Sequence, residues 1–154
     1  MLNILTGLPK DRKKDFSVCA GFSQKTGQKI ICGSSTMKMY CRELNINPKI
    51  TLVNEDQFLS QAVYNIAGVD FSCEGVITLN ECCKILIGLR SQNRQAFKLA
   101  GFLSQNRSIK FIVGTADNGD NETYRKNNIL CRKEIIKKIS DFLSVQHQIS
   151  VEYV

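Results

Sequence analysis

The sequence contains no tryptophan and a single histidine, His147, so two residue types that carry much binding and catalysis are nearly missing. Without tryptophan, and with no aromatic pair set among basic residues, there is no stacking platform for nucleic-acid bases. One histidine leaves few nitrogen ligands for zinc, and none near the loops discussed below. No apolar run approaches the roughly 20 residues that cross a bilayer. The opening Met-Leu-Asn-Ile-Leu-Thr-Gly has neither a charged n-region nor a small-residue cleavage site, so no secretory signal is expected. The expectation is a cytoplasmic protein without a membrane partner. Seven cysteines are present, yet none are spaced Cys-x-x-Cys. Cys82 and Cys83 adjoin on an expected helix and diverge by about 100°, which suits neither a zinc site nor a shared disulfide. The cysteines read as reduced, buried, small apolar residues. The sharper alternative is a reactive thiol at Cys32 or Cys73, each close to an expected strand end.

Charge is the next question. The net charge of +7 would suit a phosphate backbone if it were clustered. It is not: Lys10, Arg12, Lys13 and Lys14 are broken by Asp11 and closed by Asp15, while Arg132, Lys133, Lys137 and Lys138 fall on the expected solvent face of a helix. A solvated basic surface is the reading, and nucleic acid is excluded as a partner.

What the chain does have is a change of period at residues 29–45. Ile30, Ile31 and Cys32 form an apolar run too short for a helix, halted by Gly33. Met37, Tyr40, Cys41 and Leu44 then follow helical spacing. Between them Ser34, Ser35 and Thr36 sit where a helix N-terminus leaves backbone N–H groups available to an anion. This is either a candidate phosphate site or an ordinary capped turn between strand and helix.

The remaining pattern alternates strands with helices. Strands are expected at 2–6, 29–32, 50–53, around 68–75, at 109–113 and at 149–154. Helices are expected around Phe16 to Phe22, over 55–66 (Phe58, Leu59, Ala62, Val63, Ile66), from a Thr78/Glu81 capping box onward, around Ala96 to Leu103, and over 128–145. The second of the last three should turn Ala96, Phe97, Ala100 and Leu103 inward, and its predecessor Leu79, Cys82, Cys83, Leu86 and Leu89. At 154 residues this fits one α/β domain, Rossmann-like, with a mainly parallel sheet of about five to six strands flanked by helices. Ligands of such sheets sit beyond the carboxyl ends of the strands. Four strand-end loops carry a glycine beside a hydroxyl or carboxylate: Thr6-Gly7, Gly33-Ser34-Ser35-Thr36, Glu74-Gly75 and Gly114-Thr115. Lys10, Arg12 and Lys13 are placed to add charge at the same edge, and Glu74 to accept from a ribose or amine group. The expected ligand is phosphate-bearing or a nucleotide, and no cofactor is called for.

"ILTGLP" at 4–9, "KIICGSST" at 29–36, "GVDFSCEGVITLNECCKIL" at 68–86, "IKFIVGTA" at 109–116 and the closing "ISVEYV" resemble the region that follows the catalytic domain in bacterial SpoIIE-type serine phosphatases of the PPM class. The resemblance covers nearly the whole chain in order. It implies a non-catalytic regulatory or ligand-binding module, with a phosphatase catalytic domain or signalling protein as partner, in a system acting on phosphorylated anti-anti-sigma-like proteins. Against the family pattern, Cys32-Gly33-Ser34-Ser35-Thr36-Met37 stands where Gly-Gly-Thr-Thr and a small residue are usual. Ser72-Cys73-Glu74-Gly75 stands for Val-Thr-Glu-Gly, and the proline- and histidine-containing loop after Gly114 is missing. Asp117 and Asp120 do not replace the metal-binding aspartates of the family's catalytic domain. Two other readings stay open: a small phosphoryl- or nucleotide-processing enzyme with Glu74 as general base, and a protein-interaction domain.

Overall fold

Strand β1 (Leu2–Thr6) is buried along its whole length, a pattern that only a strand covered on both faces can satisfy. The computed structural model, which describes residues 1–55, 59–117 and 119–154, supplies those covers. After β1 come α1 (Asp15–Ser23), β2 (Gln28–Cys32), α2 (Ser34–Glu43), β3 (Lys49–Glu55), β4 (Leu59–Asn65) and β5 (Phe71–Cys73). They are followed by α3 (Val76–Leu86), α4 (Arg94–Gln105), β6 (Ser108–Val113), α5 (Asn121–Lys126), α6 (Arg132–Leu143) and β7 (Gln148–Tyr153). Five strands form one parallel sheet in the order β5-β2-β1-β6-β7. Side chains alternate along it with period two. Leu2, Ile4, Ile30, Phe111 and Val113 enter the core beneath α3, α4 and α6, whereas Leu5, Ile31 and Ile112 meet Phe22, Met37 and Tyr40 of α1 and α2. The result is a three-layer α/β domain, as the alternation of elements implies.

The winding reverses once. From β1 the chain moves outward through β2 to β5 with α1 and α2 on one face. It then returns to β6 beside β1 with α3 and α4 on the other, so the crevice rule places a ligand above β1 and β6 or their neighbours.

Several local expectations need correction. Residues 59–65 are not part of a helix over 55–66: β4 pairs antiparallel with β3 from Lys49↔Asn65 to Glu55↔Leu59. Phe58 lies outside the described residues. The helical template missed that Tyr64 and Ile66, two apart, both pack on the α2-side core, and the Ser72 hydroxyl donates to the Tyr64 carbonyl. Long-range pairing overrides a short helical period here. The strand expected at 50–53 belongs to this separate hairpin rather than to the main sheet. Thr78 does not cap α3, which starts earlier, at Val76 after Gly75. Its hydroxyl is buried without a partner, and Glu81 binds Lys84 and Ser91 instead. Leu89 is exposed because Gly88, at φ +84, ends α3 with the Leu89 N–H on the Lys84 carbonyl. Phe97 is likewise exposed, and so is Phe142, which the helical spacing over 128–145 also turns inward. The helix expected over 128–145 is shortened to α6, because Asn128 takes positive φ and Cys131 caps the new start. No helix among the described residues is long and apolar enough to cross a membrane.

Candidate functional site

Above the carboxyl ends of β2 and β5 lies a cavity of about 510 Å³. Its floor follows from two adjoining turns. Gly33 has φ +114, a conformation that side chains other than glycine's rarely adopt, and its N–H donates to the Cys73 carbonyl at 2.8 Å. A Cβ on Gly75 would lie 3.3 Å from the Gly33 Cα, so the two turns meet glycine to glycine. Helices α2 and α3 start at once from these turns, and no side chain caps either of them. Among the described residues no side chain accepts from the first-turn N–H groups of Ser34, Ser35, Thr36, Val76 or Ile77 at the cavity wall. The Thr36 hydroxyl is used elsewhere: it accepts the Gly7 N–H at 2.8 Å and ties the β1 loop to α2. Gln95 accepts the Glu74 N–H through Oε1 at 3.0 Å, which fixes the loop that carries the Glu74 carboxylate.

The opposite wall comes from the segment between β6 and α6. Ala116, Asp117, Gly119, Asp120 and Tyr124 line it, joined by Arg132 at the first position of α6. Burial pulls the Arg132 pKa below the ordinary arginine value, although a guanidinium stays charged at any working pH. Its hydrogen bond to the Gly114 carbonyl is long, 3.4 Å.

Of the residues expected from sequence, Gly33, Ser34, Ser35, Thr36, Glu74 and Gly75 line this cavity together. Thr6, Gly7, Gly114 and Thr115 do not. Beyond β1 and β6 the backbone pairing continues, Gly114 N–H to Thr6 at 2.8 Å and Ala116 N–H to Leu8 at 2.9 Å, and closes that crevice. A Cβ on Gly114 would stand 2.3 Å from the Leu8 carbonyl oxygen. Thr115 spends its hydroxyl and N–H on the Val154 carbonyl. Nor does the basic loop add charge: Arg12 pairs with buried Asp15 at 2.7 Å, and Lys10 and Lys13 do not reach the cavity. Sequence reasoning assigned Arg132 to the solvent face and left Asp117 and Asp120 without a place at the site. One signal was available: a cation in the first turn opposes the helix dipole, so Arg132 sits where helix stability does not favour it.

Cys32 and Cys73 face each other at 3.4 Å in the core below the floor. The Cys32 contact and burial push the Cys73 thiol well up, which disfavours the thiolate that a reactive Cys73 would need. His147 lies at the other end of the domain, its Nδ1 donating to the Asn106 carbonyl at 2.7 Å. Among the described residues no group of three or more His, Cys, Asp or Glu is placed to hold a metal ion.

Comparison with protein-family models, with curated proteins and with solved structures returns no match.

Proposed function

We propose that this chain is a non-catalytic ligand-binding module that captures a phosphate ester of a hydroxyl-bearing molecule, a sugar phosphate or nucleotide. The observation that carries the reading is the convergence of two helix N-termini without side-chain caps and the Arg132 guanidinium on one cavity. Each terminus presents N–H donors and about half a positive charge, which favours a phosphoryl group. Glu74, Asp117 and Asp120 share the cavity. They disfavour a bare anion and accept from hydroxyl or amine groups, so the organic part of the ligand has partners of its own. The volume lies within the range of small-molecule sites. A regulatory place beside a SpoIIE-type phosphatase belongs to the same proposal, supported by the resemblance of the strand-end motifs.

Thermal unfolding tests the ligand class. Ribose 5-phosphate and adenosine monophosphate should raise the melting temperature, by a stabilisation of about 2.7 kcal/mol at a hundredfold excess over Kd. Inorganic phosphate should do less, and ribose nothing. Flat curves with both esters would overturn the reading. A hydrolytic role has one observation in its favour, the two further carboxylates, Asp117 and Asp120, that line the same cavity as Glu74. Release of inorganic phosphate from ribose 5-phosphate, or dephosphorylation of a phosphoserine protein by this chain alone, would replace the binding module with an enzyme.

A further inference from the structure

We infer that the groove past the end of α3 is a docking surface for an amphipathic helix of an acidic protein partner. It lies at the other end of the domain from the cavity above and does not rest on the phosphate reading. Ile85 and Leu86, which close α3, line a depression of about 590 Å³ together with Phe97 of α4 and Phe142 of α6. Apolar surface is concentrated here. Nine large apolar side chains are exposed among the described residues, and five of them lie on the groove or within three residues of Leu86: Ile87, Leu89, Phe97, Phe142 and Val145. Such a gathering marks a contact site. Gly101, on the groove wall, deepens it. It stands in the middle of α4, where glycine is less favourable than alanine, yet a Cβ there would meet nothing within 4 Å. The open space at Gly101 lets a second backbone come close.

Charge names the occupant. Three exposed cations border the groove: Arg90 in the loop after α3, Lys138 one turn before Phe142, and Arg107, whose carbonyl accepts the Gln148 N–H at 2.7 Å beside His147 of the groove wall. None of the three has an ion-pair partner among the described residues. The carboxylates of the same segments, Glu81 and Asp141, are already held by Lys84 and Lys137, both at 2.6 Å. The surface is therefore apolar at its centre and positive at its rim. It complements a helix that carries apolar residues at i, i+3, i+4 and i+7 between acidic flanks. A second copy joined at this face would set like charge against like. A bilayer surface is flat and takes up side chains that protrude, whereas buried Ala100 and Gly101 make a recess beside Phe97, the shape that a helix fills.

The test is selection against the whole chain of a displayed library of amphipathic helices, their apolar positions fixed as leucine and their polar positions randomised, followed by fluorescence anisotropy of the enriched peptides. Enriched sequences should favour aspartate and glutamate over lysine and arginine by about 3-fold or more. Gly101→Leu fills the recess without straining the helix. It should weaken those peptides about 10-fold or more while the chain unfolds at the wild-type temperature or above it. Lys138→Glu should weaken them about 3- to 10-fold, a loss that fades between about 0.1 and about 1 M salt as charge is screened. Peptides without an acidic bias, binding that survives Gly101→Leu, or no enrichment at all would overturn the inference. Association with phosphatidylglycerol vesicles where no peptide is enriched would overturn it too and give this face to a membrane.

Discussion

Two pairs of glycine turns sit at the same edge of the same sheet and do opposite things. Gly7 and Gly114, after β1 and β6, let two backbones close on each other, sealing the crevice at the reversal of winding with hydrogen bonds of 2.8 and 2.9 Å. Gly33 and Gly75, after β2 and β5, also touch, but each is followed immediately by a helix. The difference lies in the next residue. After Gly33 and Gly75 the chain starts a helix at the cavity wall, whereas after Gly114 it runs on as loop, Thr115 giving its N–H to the Val154 carbonyl and Ala116 to that of Leu8. A glycine at a strand end is thus either a seam or a doorway, and the start of a helix decides which.

The sharpest way to break the comparison is at the seam. Gly114→Ala places a methyl 2.3 Å from the Leu8 carbonyl oxygen and should cost about 3 kcal/mol or more in urea unfolding. A loss under about 1 kcal/mol would show that the loops separate easily. At the doorway, Gly33→Ala puts a side chain at φ +114, 3.2 Å from the Thr36 hydroxyl. It should cost about 1 to 3 kcal/mol and, unlike Gly114→Ala, also weaken phosphate-ester binding. Thr36 joins the two regions: Thr36→Val leaves the buried Gly7 N–H without its acceptor and should cost about 1 to 2 kcal/mol, measured by the same unfolding curves. The smallest effect concerns acid. Hydrogen bonds from Lys84 and Ser91 hold the Glu81 carboxyl below its ordinary value. A lowered folded pKa gives stability that is present above the unfolded value and lost as pH falls through the folded one. The stability difference between wild type and Glu81→Gln should therefore be under about 1 kcal/mol near neutrality and shrink below about pH 4. A difference that grows on acidification would reverse the sign.

Much of the fold was legible because central parallel strands are buried on both faces and read as apolar runs. Leu2 to Thr6, Ile30 to Cys32 and Ile109 to Val113 needed no other signal. Strand β4 was not legible, because its apolar positions satisfy a helical template equally well and only its pairing with β3 decides. Helix α5 carries no buried residue, so no periodicity announced it. At the site, the residues near Gly33 and Gly75 were readable from local turn chemistry. Whether Gly7 and Gly114 open or close depends on the pairing of two strands more than a hundred residues apart, which no local pattern carries. Arg132 was hidden for a related reason: its helix looked like a solvated basic face, and the space for that one arginine is left by Gly7, distant in sequence.

The central claim is that the doorway, not the seam, receives a phosphoryl group. Backbone amide chemical shifts during a titration with ribose 5-phosphate test it most directly. The amides of Ser34, Ser35, Thr36, Val76 and Ile77 should move together, saturate at one ligand per chain and exceed the shifts of Gly114 and Thr115, whose shared peptide carries the hydrogen bond from Arg132. Shifts concentrated at Gly114 and Thr115, or none at the starts of α2 and α3, would contradict the account.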